Sequence, residues 1–335
     1  MEKRKIRSLL FVFALSLVLA CSSSRMLQVS PEIGSVMSIA ATDKDERCPA
    51  VSPDGKEVAY SALRRKSNGN WDFDIMAKNS EGAWVEQQII ASPDQEYSPG
   101  WYPDGKNLIF TTVRGNRSFL QKISFEGSHS VVELSRSGSA FDGRVSGKDT
   151  SLVFVESMNY GGNVSGNITA NDEPMIVKMK EDGKKRTIII PGIDPAISPD
   201  GNRIAFAKRV QGNWKIHTCN LDGTDLRMLQ TSPFNENSDD VKPAWSPSGR
   251  FIVFASNRNK VRKLSQIWKP WKIWSIIFGE RQWDLYKIDV KSGGFLTQLT
   301  RDPNDEFWPS WGSNGQIFFQ SNHRGNWDIY SLKLK

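Results

Sequence analysis

The residues that could do chemistry in this 335-residue chain are few and scattered. Its three histidines, His129, His217 and His323, have no second His and no Cys at metal-ligand spacing. Asp54, Asp104 and Asp200 recur in Ser/Tyr-Pro-Asp-Gly tetrapeptides, where the carboxylate serves the turn rather than a reaction. Asp72, Asp284 and Asp328 each follow a tryptophan and read as residues at strand starts. Cys48 and Cys219 read as small apolar fillers on opposite sides of the fold, too far apart to bridge. The sequence holds no G-x-S-x-G nucleophile turn and no Gly-rich phosphate loop. This inventory implies no metal and no cofactor, and an enzyme is not expected.

One stretch is chemically unlike the rest. In Asn259–Gln282, the residues Lys263, Trp268, Lys269, Trp271, Lys272, Trp274 and Phe278 alternate cations with large apolar rings. That mixture suits the headgroup zone of a bilayer, where ring and cation both find partners. Pro270 argues against one continuous helix, and the run is too short to span. Three readings stand: it covers a neighbouring part of the fold, touches a membrane surface, or docks a partner protein. The chain has 44 Lys and Arg against 37 Asp and Glu, +7 in all. Met1–Ala20 holds four basic residues and one acidic, and Lys260–Arg281 six and one, so the remainder has 34 against 35. The positive charge is therefore local, and the body of the protein is nearly neutral.

What must position these residues is a repeat. Pro195–Asp225 contains the turn Ser198-Pro199-Asp200-Gly201, an apolar run Ile204-Ala205-Phe206, a second run Trp214–Cys219 and a closing Asp222-Gly223. The first element recurs at Pro49–Ser52, Pro99–Tyr102, Asp142–Ser146, Pro243–Ser246 and Pro309–Gly312, the Asp142 copy being worn. Apolar triplets follow at Val58–Tyr60, Leu108–Phe110, Leu152–Phe154, Ile252–Phe254 and Ile317–Phe319. Third strands are expected at Phe73–Met76, Phe119–Ile123, Met175–Met179, Trp214–His217, Trp283–Tyr286 and Trp327–Tyr330. Six copies at this period predict an all-β, six-bladed β-propeller with four-stranded blades. Long insertions lie between the second and third strands of the third blade, Glu156–Glu173, and of the fifth, 259–282, on one face of the disc.

The S-P-D-G turn, apolar triplet and G-N-W-D signature resemble the repeat of TolB-type propellers, also found in propellers of some peptidases and of oligogalacturonate lyases. The resemblance covers nearly everything after residue 35. It implies the fold and leaves the activity open, because a propeller is a platform for many functions. TolB-type proteins carry a separate N-terminal α/β domain and no lipid. Neither feature is expected here, so their partners are not carried over.

Met1–Ala20 has the positive head and short apolar run of a signal peptide. Its end, Val18-Leu19-Ala20-Cys21, resembles the bacterial lipobox, apart from the bulky Leu19. That resemblance implies cleavage before Cys21, lipidation of its sulfur, a polar tether over residues 21–34 and export to the outer membrane. Acyl chains of this kind anchor a protein stably.

Residues 35–49 align without gaps to Phe295–Pro309 at an offset of 260. In the later copy this segment is an outer strand, and the chain ends three strands into the sixth blade. Val36–Ala41 is therefore expected to supply that blade's missing outer strand and so to leave fewer strand edges open. The propeller spans 35–335. The function expected is a lipid-anchored, protein-binding or scaffolding module of the cell envelope, partnered with the membrane and an envelope protein and not with nucleic acid. The alternative is a glycan-binding or carbohydrate-active propeller that works in its central channel.

Overall fold

A computed structural model describes residues 27, 29–65, 69–80, 86–90, 92–127, 130–135, 139–157, 173–229, 237–261, 280–291 and 296–335, with backbone alone at 259–261 and 280–281. The described residues form 24 strands and no helix, in six antiparallel sheets of four. The chain opens with β1 (Ile33–Ala40), and blade 1 follows as β2–β5 (Glu46–Val51, Glu57–Arg65, Trp71–Asn79, Glu86–Ile90). Blade 2 is β6–β9 (Gln95–Trp101, Asn107–Arg114, Arg117–Ser124, Val131–Glu133). Blade 3 is β10–β13 (Ala140–Val145, Leu152–Glu156, Met175–Met179, Thr187–Pro191). Blade 4 is β14–β17 (Ile193–Ile197, Arg203–Val210, Asn213–Asn220, Arg227–Met228). Blade 5 is β18–β21 (Asp240–Trp245, Phe251–Val261, Glu280–Asp289, Thr297–Gln298). Blade 6 takes β22–β24 (Glu306–Trp311, Gln316–Ser321, Asp328–Leu334) and then β1, in the order β1-β24-β23-β22.

The closure expected from the 260-residue offset is present. β1 pairs antiparallel with β24, from Ile33↔Leu334 to Ala40↔Ile329, three residues longer at its start than the sequence suggests and one shorter at its end. Residues 27–30, read as tether, also attach: Val29 bridges Thr300, and the Ser30 amide donates to the Leu299 carbonyl at 2.8 Å.

Second strands read as unbroken apolar triplets because neighbouring blades cover them on both faces. Val58, Ala59 and Tyr60 are fully buried, as are Ile204–Phe206 and Ile252–Phe254. The turns behave as their residues dictate. In Ser52–Gly55 the Gly55 amide donates to the Ser52 carbonyl at 2.9 Å, and Gly55 takes φ 78°, which glycine adopts without strain. Asp54 accepts from the Ser52 hydroxyl and the Lys56 amide, at 2.6 and 3.1 Å. Asp200 repeats the arrangement, so both carboxylates serve turns as expected.

Blades are tied in sequence by carboxylates. Asp239, Asp305 and Asp45 each precede or begin an inner strand and accept from the backbone amide of a tryptophan one blade earlier: Trp214, Trp283 and Trp327, at 2.9, 3.1 and 3.1 Å. Trp101 and Trp245 add indole N–H donors to the carbonyls of Ala50 and Ala196 on the preceding blade, at 2.9 and 3.0 Å. Asp72, second in β4, and Asp328, first in β24, lie at strand starts as expected, whereas Asp284 is fifth in β20, because that hairpin stays paired out to Val261↔Glu280.

The strand order gives the disc two unlike faces. One carries the first-to-second and third-to-fourth strand turns. The other carries the second-to-third strand hairpins and the inter-blade connections. Both insertions spring from the hairpin face, where β19 and β20 stay paired out to Val261↔Glu280; 158–172 and 262–279 lie outside the described residues.

The latch is testable. Ile39 is buried in β1 and Met37 is exposed. Ile39→Ala is expected to cost about 2–5 kcal/mol of unfolding free energy in urea, and Met37→Ala within about 0.5 kcal/mol.

Candidate functional site

Each inner strand breaks its ladder once, between Arg47 and Ala50, Tyr97 and Gly100, Phe141 and Arg144, Ile193 and Ala196, Val241 and Ala244, and Phe307 and Ser310. At that bulge one residue takes a left-handed backbone: Cys48, Ser98, Asp142, Asp194, Lys242 and Trp308, with φ from 52° to 58°. In five blades proline follows it. The inner strand is a sheet edge, and proline there removes an amide donor that would have no ladder partner. In blade 3 the follower is Gly143, where a Cβ would come within 2.6 Å of Ile109.

These six residues form a ring around the axis. The Lys242 ammonium donates to Asp142 Oδ2 of blade 3 at 2.9 Å and lies 2.6 Å from Asp194 Oδ1 of blade 4. It also stands 3.5 Å from the centroid of the Trp308 ring of blade 6. The Ser98 hydroxyl of blade 2 donates to Asp142 Oδ1 at 2.5 Å. The Cys48 amide of blade 1 donates to Gln320 Oε1 of blade 6 at 2.8 Å. One network thus links blades 2 to 6, and blade 1 joins through Gln320.

The electrostatics keep this network ionised. Burial opposes the charge on Lys242, but Asp142 and Asp194 outweigh it, and the ammonium is held above its ordinary pKa. Burial also raises both carboxylates. Lys242, then Arg144, bring Asp142 below its usual range, while Asp194, facing Asp142 as well, stays above. Burial pushes the Cys48 thiol up to about 12, which removes it as a nucleophile at neutral pH.

On the turn face the ring floors a funnel of about 560 Å³. Nine prolines and four tryptophans line it, with Arg144 beside the ring charges, and its rim is made by turn residues such as Pro53, Pro103 and Ser313. Two carboxylates and two cations balance at its base. Such a funnel is stiff and preformed, with apolar walls around a few fixed polar groups, the usual makeup of a recognition site.

A second group of acids lies on the hairpin side of the ring. Glu46, Glu96, Asp240 and Glu306 sit near the starts of inner strands and are fully buried. Arg258 pairs with Asp240 at 2.7 Å, Thr42 Oγ1 donates to Glu46 at 2.6 Å, and Ser321 to Glu306 at 2.9 Å. Burial raises Glu46 and Glu306, and it pushes Asp328 up to about 6 with help from Glu46 and against Arg324.

The residues singled out in the sequence fall elsewhere. Cys21, Lys263, Trp268, Lys269, Trp271, Lys272, Trp274 and Phe278 lie outside the described residues, as does His129. His217 is buried in β16 with its Nδ1 2.9 Å from the Lys215 carbonyl, and His323 Nδ1 lies 2.9 Å from Asp302. Cys219 fills the core between blades 3 and 4, as expected. Cys48 is buried as expected too, though its bulge places it at the ring rather than inside a blade. Reading the residue before each inner-strand proline would have found five of the six ring members.

No family model matches the chain. Among solved structures it is similar to TolB from Acinetobacter baumannii, at 17% identity and a TM-score of 0.55, over 83% of this chain and 57% of that one. The chain thus spans less than two thirds of that protein. An oligogalacturonate lyase from Vibrio parahaemolyticus matches at 12% identity and 0.54, over 92% and 95% of the two chains. A gluconolactonase from Xanthomonas campestris matches at 11% and 0.60, over 93% and 95%. At these identities the likeness establishes a TolB-like propeller fold and assigns no reaction.

Two predictions follow from these charges. Lys242→Met leaves two buried carboxylates unpaired and is expected to cost about 3–5 kcal/mol, measured by denaturant titration. Adding Asp142→Asn and Asp194→Asn to it should recover most of that loss. For Asp328 the folded pKa lies above the unfolded one, so its contribution is present at low pH and lost as pH rises through about 6. Asp328→Asn should therefore gain stability over the parent as pH climbs from about 4 to about 7 in parallel thermal melts.

Proposed function

We propose that this protein is a binding module of the bacterial cell envelope, anchored by lipid on Cys21, whose propeller takes a segment of a partner protein into the funnel. The observation that carries the reading is the ring: its charges are satisfied by one another and its thiol is held neutral, so the funnel offers shape and fixed dipoles rather than a reactive group. The TolB-like fold is compatible with this role, and the sequence up to Cys21 supplies the anchor. Stable attachment follows because each buried methylene of the acyl chains contributes about 0.8 kcal/mol.

A second reading rests on the funnel wall. The rings of Trp101 and Trp311, both partly exposed, line it and could stack on a sugar face, and two of the similar folds belong to enzymes named for sugar-derived substrates. In that case the funnel holds a glycan.

Ser313→Trp fills the funnel mouth from an exposed turn position. Crosslinking capture from native membranes should yield one dominant envelope protein with the parent and lose it with Ser313→Trp. Depletion of oligosaccharide by the parent, or turnover of a polysaccharide, would replace this reading with the glycan one. Mass spectrometry of the mature N-terminus should find Cys21 carrying diacylglycerol; an unmodified cysteine would remove the anchor.

A further inference from the structure

We propose that the hairpin face of the propeller is the face laid against a phospholipid surface, which turns the funnel away from the membrane. This rests on the lipid-anchored reading above and adds the orientation that the anchor alone leaves open.

The Val29–Thr300 bridge is antiparallel, and the Ser30 amide bonds to Leu299, so residues 27–30 climb the outer edge of blade 5 from the hairpin face towards the turn face. They turn over at Pro31-Glu32, and β1 then descends beside β24 to Ala40. The described chain therefore begins at the hairpin face of blade 5. Cys21 is six residues away, a reach of about 20 Å at full extension. A lipid on that cysteine holds this face, and not the funnel, towards the bilayer.

The described tips of the second-to-third strand hairpins carry Arg64 and Arg65 in blade 1, Arg114 in blade 2, Arg209 in blade 4 and Arg324 in blade 6, with Asp72 opposite Arg64 and Glu156 and Glu173 flanking the blade 3 insertion. Among the acids of the inter-blade connections, Asp43 pairs with Lys44 at 2.7 Å and the half-buried Asp94 with Arg114 at 2.8 Å. The turn face mixes both signs: Asp54, Asp182, Asp200 and Asp222 lie in its turns, and Lys56, Lys106, Lys148, Lys184, Arg203 and Arg250 lie in or beside them. What sets the hairpin face apart is arginine at its tips, whose planar forks match lipid phosphates.

Aromatic rings stand beside cations on this face. Trp71 is 47% exposed with the Lys44 ammonium 4.9 Å from its centroid, and Arg209 lies 4.9 Å over Trp214. Aromatic rings with adjoining cations favour the membrane–water boundary. The backbone of the β19–β20 hairpin projects from the same face of the same blade at which the described chain begins.

The two faces can be read separately in blade 6. Arg324 sits at its hairpin tip and Ser313 at its first turn, both exposed and separated by the six residues of β23, about 20 Å. Cys48 and Cys219 are buried, so a cysteine placed at either site takes the label. Full-length lipidated Arg324→Cys and Ser313→Cys proteins are labelled with a fluorophore and reconstituted in phosphatidylglycerol–phosphatidylcholine vesicles containing doxyl-labelled lipid. The expected result is strong loss of fluorescence at position 324 and none at 313. Equal loss at both sites, or loss confined to 313, overturns the orientation. Flotation of the same samples scores the anchor separately. If the protein fails to float but sediments with these vesicles at low salt with the same quenching pattern, the anchor fails and the face stands. If it neither floats nor sediments, both are overturned.

Discussion

A single ammonium group decides what the middle of this molecule can be. Six inner strands converge on the axis, and each turns one residue towards it at a bulge. Two of those residues are aspartates on adjacent blades, buried to 5% and 7% exposure. Left to themselves they would repel each other and pay a desolvation penalty of several kcal/mol apiece. Lys242 reaches both, from blade 5 back to blades 4 and 3, and Trp308 covers its other side. The channel is thereby stopped at the level of the ring, and what remains above is a blind funnel rather than a pore. At the six equivalent bulges stand Cys, Ser, Asp, Asp, Lys and Trp. Symmetry breaks at the axis because six identical charges could not meet there.

The rest of the disc separates two tasks. Three of the six turns between first and second strands, Ser52–Gly55, Tyr102–Gly105 and Ser198–Gly201, are near copies built from proline, a capping aspartate and a glycine, and turns of this set form the rim of the funnel. The opposite hairpins vary in length and carry arginine and aromatic side chains. Closing the ring uses both ends of the chain: β1 hydrogen-bonds to β24, and Lys335 donates its amide to the Glu32 carbonyl at 2.9 Å. An anchor attached just ahead of β1 would therefore pull on the very element that shuts the propeller. The extra contact of residues 27–30 with blade 5 spreads such a load over a second sheet.

Much of the architecture was legible because it depends on local rules. A Ser-Pro-Asp-Gly turn has few ways to fold, and an apolar triplet six residues later can only be a strand covered on both sides. The 260-residue offset located the closing strand to within three residues. The ring was not legible, for a physical reason. Alternation tells which side chains of a strand share a face, but a left-handed bulge resets that alternation, and the residue before the proline swings to the axis. Asp284 was misplaced for a related cause: the tryptophan motif marks the strand, while hairpin length sets where it begins, and blade 5 has the longer paired hairpin. The Val29–Thr300 bridge leaves no pattern in the sequence, since a single pair of residues has no period. Cys21 and the tryptophans of 262–279 rest on sequence chemistry alone.

The state of Lys242 is the direct test of this account. With lysine labelled by ¹⁵N at the side-chain nitrogen, NMR can follow its ammonium through a pH titration. The account requires slowly exchanging protons on one lysine, absent in Lys242→Met, and a titration above that of the exposed lysines. A Lys242 signal that exchanges freely with water, or loses its proton below the others, would mean that no ion-paired ring closes the channel.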